Sequence, residues 1–183
     1  TKISWSYFGV ELISGLLVAL VPMGLAIVPA VLWVAVFLIL LLITLIDMRL
    51  QIIPDELGAA LAILGISLIL VGGVPYDWAG HLWPAFGASL FFAGLIAITR
   101  GRGMGWGDVK LGFALGLIFG WPGTLLLVML AFVIGAAVGV TLIAARSKNL
   151  KSALPFGPFL ALAALIVFFF GPDIVSGYLR LLG

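Results

Sequence analysis

The chain has 183 residues, 64% of them hydrophobic and only 9% charged, with a mean hydropathy of +1.38. A soluble domain carries about 25% charged residues, so this composition excludes a water-solvated globule and points to a chain dissolved in a bilayer. With no cysteine, one histidine (His81) and a net charge of +2, disulfides, thiolate zinc sites and a cysteine nucleophile are excluded. Nothing argues for a histidine metal site, a Ser-His triad or a nucleic-acid partner. Apolar runs broken by Gly, Pro or charge predict membrane helices over 8–26, 29–46, 56–72, 82–98, 109–120, 122–145 and 156–171. A short amphipathic helix is predicted over 173–182. The fold class is thus an all-α polytopic transmembrane helix bundle of about seven spans, forming one membrane-embedded domain over 1–183. The run at 109–120 is short for a bilayer, so it is expected to tilt or to pack inside the bundle. The chain starts at Thr1 with no signal-peptide pattern and reads as a fragment or a processed form.

Orientation follows from the basic residues. With the connections numbered alternately, Lys2, Arg49, Arg100, Arg102, Lys110, Arg146, Lys148 and Lys151 fall on one side and Arg180 on the other. Loops rich in Lys and Arg stay in the cytoplasm. Asp77, His81 and Asp173 belong to the opposite side. Trp33, Trp78, Trp83 and Trp121 fall near the outer interface, and Trp5 and Trp106 near the inner one, as amphipathic rings prefer.

Of the seven acids, Glu11, Asp47, Asp55, Glu56 and Asp108 lie at or near cytoplasmic segment ends. An acid in a membrane chain is costly and raises a functional hypothesis by default. Asp55 follows Pro54 and is expected to be an N-cap, with Glu56 favoured by the helix dipole. Asp47 ends the second run, where the dipole disfavours a negative charge; a surface pair with Arg49 is its plain structural reading. Asp108 follows Gly103-Met104-Gly105-Trp106-Gly107 and is placed to cap the fifth helix. A cap alone does not need three alternating glycines, which permit positive φ and close backbone approach. No GK[ST] follows, so a phosphate loop is not indicated. A channel filter would need a ring of subunits and a site along the pore.

Asp47 and Asp108 come from different runs but share one depth and one side. Two carboxylates close together do not both ionise easily, so one can act as base on a water while the other donates a proton. Peptide hydrolysis by such a pair needs no metal, cysteine or histidine.

These residues resemble a known family. Gly105-Trp106-Gly107-Asp108 is similar to the GxGD signature of membrane aspartyl proteases. The wider text GMGWGDVKLGFALG resembles the type IV prepilin peptidase form, and LIDMRLQIIPDEL resembles that family's first-aspartate segment. LPFGPFLALAAL (154–165) resembles its Pro-Phe-Gly-Pro segment, and KISWSYFGVELISGLL (2–17) the stretch after its cytoplasmic domain. The presenilin-type members fit less well, since their first aspartate lies in a mid-membrane Tyr-Asp motif. The resemblance implies that Asp47 and Asp108 are the catalytic acids, with Gly105, Gly107, Lys110 and Glu11 supporting the site or binding substrate. It implies a bacterial inner-membrane endopeptidase facing the cytoplasm. Its partners would be membrane lipid and a type IV prepilin or pseudopilin, whose short basic leader is removed, commonly after a glycine. Many members then methylate the new N-terminus with S-adenosylmethionine; proteolysis itself needs no cofactor. Typical members also carry an extra N-terminal span and a loop whose two CxxC pairs bind zinc. Neither is in this sequence, so no zinc is expected and methylation is in doubt.

Glu11 reads equally as a lining of the substrate or methylation site and as a packing partner of Lys110 or an arginine. Lys110 reads as a contact to substrate carbonyls, as a partner of the ionised aspartate, or as a snorkelling lysine. The alternative class is a transporter or channel in which Asp47, Asp108 and Glu11 carry protons or cations, although such sites usually lie at mid-membrane on broken helices. A non-catalytic scaffold would leave the paired acids and the glycine loop without a role.

Overall fold

A computed structural model describes residues 5–101, 103–145 and 154–182. Among them are six helices and no strand: α1 (Trp5–Leu20), α2 (Ile27–Leu50), α3 (Asp55–Leu70), α4 (Trp78–Thr99), α5 (Trp106–Ala144) and α6 (Gly157–Leu182). Helices α2, α4, α5 and α6 are long and apolar enough to cross a membrane. Helices α1 and α3 have 16 residues each; at about 1.5 Å per residue they reach roughly 24 Å, short of a hydrocarbon core of about 30 Å. The seven expected runs therefore become four helices of spanning length and two shorter ones, with two runs merged in α5.

The merger in α5 is not a continuous helix. Gly120 (φ 57°, ψ −166°) and Trp121 (φ −90°, ψ 139°) leave helical geometry, at the boundary predicted between 120 and 122. Pro122 has no N–H for Ile118, and its ring crowds that turn; Gly120 takes a φ that other residues resist. We call the two halves α5a (106–119) and α5b (122–144). Two freed carbonyls find side-chain donors. His81 Nδ1–H donates to Leu117 O at 2.8 Å, and Thr124 Oγ1 to Gly120 O at 2.8 Å. His81 is thus not an outer-loop residue as expected: α4 begins at Trp78, and the ring is buried against the α5 break. The predicted separate tail helix is also revised, since α6 runs through Pro172 to Leu182.

The short predicted run at 109–120 packs inside the bundle, as the alternative to tilting. Leu111, Ala114 and Ile118 of α5a are fully buried, with α3 and α4 laid against it. The contact with α4 is made by Gly112, Gly116 and Gly120, spaced by four and so on one face. A Cβ on Gly112 would lie 2.6 Å from the Phe92 ring, on Gly116 2.4 Å from Ala85 Cα, and on Gly120 2.9 Å from the His81 ring. Small residues at such spacing let membrane helices approach until backbones touch.

Around this centre the exterior is apolar: Ile27, Leu90, Ile98 and Val133 are all exposed, which only a lipid solvent tolerates. Trp33 departs from the expected interface role. It is 5% exposed, packs on Phe37, Phe119 and Phe168, and donates its Nε1–H to Gly73 O at 3.4 Å. Chain direction places Arg49 and Arg100 at one end of the bundle and Arg180 at the other, in line with the expected asymmetry. Lys2, Arg102, Arg146, Lys148 and Lys151 lie outside the described residues.

Candidate active site

Helix α2 ends in a left-handed residue, Gln51 (φ 55°), whose N–H donates to Asp47 O at 2.9 Å. The extended segment 52–54 then leads into α3. The end of α4 is built similarly, with left-handed Arg100 and Gly101 and a Gly101 N–H to Ile96 O bond of 2.9 Å, a Schellman closure. These turns bring residues 51–54, 101 and 103–105 and the segment leading into α6 together at one end of the bundle, around a cavity of about 410 Å³.

Asp47 and Asp108 both line this cavity, beside Gln51, Met104, Trp106 and Phe156. Both are buried, at 5% and 7% exposure, and are close enough to interact electrostatically. The surface pair considered for Asp47 and Arg49 is therefore overturned for Asp47. Its Oδ2 instead accepts the Gly157 N–H at 2.9 Å. Gly157 opens α6, so this N–H is one that the helix itself cannot use, at the positive end of the helix dipole. A Cβ on Gly157 would lie 2.7 Å from that oxygen. The glycine of Pro155-Phe156-Gly157-Pro158 thus has a concrete job: it lets an aspartate from α2 reach the backbone.

Asp108 is not the N-cap, as expected, but the third residue after it. Gly105 is the cap. The Gly105 N–H donates to Asp108 Oδ2 at 3.0 Å, which is the N3 half of a capping box, and the Asp108 N–H donates to the Gly105 backbone carbonyl at 3.1 Å in place of the side chain that glycine lacks. Asp55 likewise is not a cap; Pro54 holds that position and Asp55 lies in the first turn of α3. The alternating glycines also divide their work differently from expectation. Positive φ falls on Arg100 and Gly101, not on Gly103, Gly105 or Gly107. Gly107 is needed for close approach, because its Cβ would meet Ile53 Cβ at 2.8 Å.

The remaining candidates stand apart from the acids. Lys110 Nζ pairs with Asp55 Oδ1 at 2.6 Å. Both side chains are half exposed or more, so the pair contributes about 0–1 kcal/mol. Glu11 is exposed on α1 and makes no ion pair among the described residues. Neither lines the acid cavity. No group of three or more His, Asp or Glu side chains converges among the described residues. The sequence did not single out Gly157 as a partner of Asp47, His81 as a cap of α5a, or the Gly112-Gly116-Gly120 stripe. The fourfold spacing was a visible signal for the last.

Residues 34–140 match the type IV leader peptidase family. The chain belongs to this family. The matched region holds both buried aspartates and stops short of Gly157. Similar proteins include three named prepilin leader peptidase/N-methyltransferase. The one from Xanthomonas campestris pv. campestris is 42% identical over 86 residues, covering 47% of this chain and 30% of that protein. The one from Aeromonas salmonicida is 36% identical over 134 residues, covering 68% of this chain and 44% of that protein. The one from Burkholderia pseudomallei is 35% identical over 148 residues, covering 62% and 48%. The chain therefore spans under half the length of these leader peptidase relatives. No solved structure matches it.

Proposed function

We propose that this leader peptidase chain is the membrane-embedded core of an aspartic endopeptidase. It removes the basic leader of type IV prepilins or pseudopilins at the cytoplasmic face of a bacterial inner membrane. One observation carries the reading: Asp47 and Asp108, from separate helices, are buried together in one cavity at the end of the bundle marked by Arg49 and Arg100. Oδ2 of each is held by a backbone N–H, which leaves Oδ1 of each for water and substrate. The ionised carboxylate takes a proton from water as its oxygen attacks the scissile carbonyl carbon. The protonated carboxylate donates to the carbonyl oxygen. The C–N bond then breaks as the leaving amine is protonated. The proton belongs to the pair rather than to one named residue. A transporter would hold its ionisable groups near mid-membrane, whereas these two occupy the last turn of α2 and the first turn of α5.

The N-methyltransferase in the relatives' names would use S-adenosylmethionine as methyl donor. Glu11, which the resemblance offers for the substrate or methylation site, is exposed on α1 and lines none of the three cavities described. No methylation step is derived for this chain.

The test is incubation of a purified prepilin with this chain in liposomes, read by N-terminal sequencing of the product. Cleavage after a leader glycine is expected; intact prepilin beside a folded, inserted chain overturns the reading. Gly157→Ala probes the Asp47 anchor in the same assay. The added methyl collides with Oδ2, so the carboxylate must swing away and lose its N–H. A misplacement of about 1 Å costs roughly 100-fold in rate, so a drop of that order with unchanged helical content by circular dichroism is the expected result.

A further inference from the structure

We propose that the groove between α4 and α5b docks the apolar transmembrane helix of the prepilin, so that the bond at the end of that helix enters the acid cavity. The proposal rests on prepilin cleavage as the function. The groove encloses about 700 Å³ between residues 83–91 of α4 and 121–133 of α5b. Trp83, Gly87 and Phe91 form its α4 wall at a spacing of four, and Leu125, Met129 and Val133 its α5b wall at the same spacing, so each wall is one helix face. The single hydroxyl in the lining, Thr124, is already spent on Gly120 O.

The shape is that of a helix seat. Gly87 stands between the exposed rings of Trp83 and Phe91, and a Cβ there would meet nothing within 4 Å. A small residue flanked by large ones is how one membrane helix admits another. From Trp83 to Phe91 the wall runs about 12 Å at 1.5 Å per residue, or two to three helical turns.

The seat also leads to the right place. At its inner end Phe91 lies edge-on to Phe132 at 5.8 Å, and Phe132 packs on Phe156 at 4.9 Å. Phe132 lines the groove and Phe156 lines the cavity of Asp47 and Asp108. One aromatic contact, Phe132 on Phe156, therefore joins the lining of the groove to the lining of the acid cavity. A lipid tail has no need of that route. A chain whose basic leader lies at the acid end and whose apolar helix descends into the bilayer fits a seat whose inner end adjoins the wall of the acid cavity.

The experiment compares two substrates: a full-length prepilin, and a peptide holding only its leader and the first few residues after the cut. Gly87→Trp fills the seat in open space. It is expected to lower the long-to-short ratio of kcat/KM about tenfold, the scale of one lost buried side-chain contact. Leu90→Trp, on α4 but outside the groove, is the control. An unchanged ratio in Gly87→Trp, or an equal fall in Leu90→Trp, overturns the docking site. A second readout does not need cleavage. Benzoylphenylalanine in place of Met129, in an Asp108→Asn chain, is expected to photo-crosslink to the prepilin helix. Crosslinks to lipid alone, or to a second copy of this chain, overturn the proposal. If the parent cuts neither substrate while the crosslink forms, prepilin cleavage fails and docking stands. If the parent cuts both while the ratio is unchanged and no crosslink forms, docking fails and cleavage stands.

Discussion

Asp47→Asn and Asp108→Asn are each expected to abolish prepilin cleavage while leaving the chain folded and inserted. Asparagine matches aspartate in size, and its amide oxygen can still accept the Gly157 or Gly105 N–H that holds each side chain. It can neither take a proton from water nor give one to a carbonyl. General acid–base catalysis contributes about 10²–10⁴-fold, so each variant should fall by at least that much. The two losses should not add, because the acids act as one unit. Initial rates on purified prepilin in liposomes, with circular dichroism and gel filtration as folding controls, check this. Parental cleavage by either well-folded variant would remove that aspartate from the mechanism. Asp47→Glu gives a sharper form of the same test. The carboxylate survives, but the extra methylene moves it by about 1 Å or more from the Gly157 N–H that anchors it, and a misplacement of that size costs roughly 100-fold, so most activity should still be lost.

The second large effect concerns the bundle that carries the acids. Gly116→Ala is expected to destabilise the chain strongly, at the upper end of the 1–3 kcal/mol typical of overpacking or about 3 kcal/mol. Its Cβ would meet Ala85 at 2.4 Å from Cα and 2.6 Å from N, and Pro84 C at 2.9 Å. These are backbone atoms, which cannot swing aside as a side chain can, so α4 and α5a must separate. Gly112→Ala meets the ring edge of Phe92 instead and is expected to cost less, because a ring can tilt. Thermal unfolding in detergent should rank the parent highest, Gly112→Ala next and Gly116→Ala lowest. Equal melting of Gly116→Ala and parent would mean that the two helices are not so closely apposed. Since α5a carries Asp108 and α4 leads into its loop, Gly116→Ala should also slow cleavage in whatever fraction stays folded.

The sequence by itself determined the solvent, the helix count apart from the halves of α5 and the tail that joins α6, and the position of the break at Gly120-Trp121-Pro122. Each follows from local composition: a run of apolar residues long enough for a bilayer, or a glycine and a proline set close together, although Gly171-Pro172 carries the same signal and α6 continues through it. It also singled out Asp47 and Asp108, because a charge at the end of an apolar run and a glycine-rich approach are visible without knowing any neighbour. Only the tertiary structure decided what those acids touch. Gly157 is 110 residues from Asp47 along the chain, and no periodicity connects them. The same holds for the Lys110–Asp55 pair, which leaves Lys110 away from the acids, and for Trp33 and His81, whose types suggested an interface and a loop but whose places are inside the bundle. Backbone chemistry is written in neighbouring residues. Burial and contact depend on which faces α5a presents to α3, α4 and α6, and that is settled by packing, with the glycine stripe bringing α4 close enough for the rest to follow.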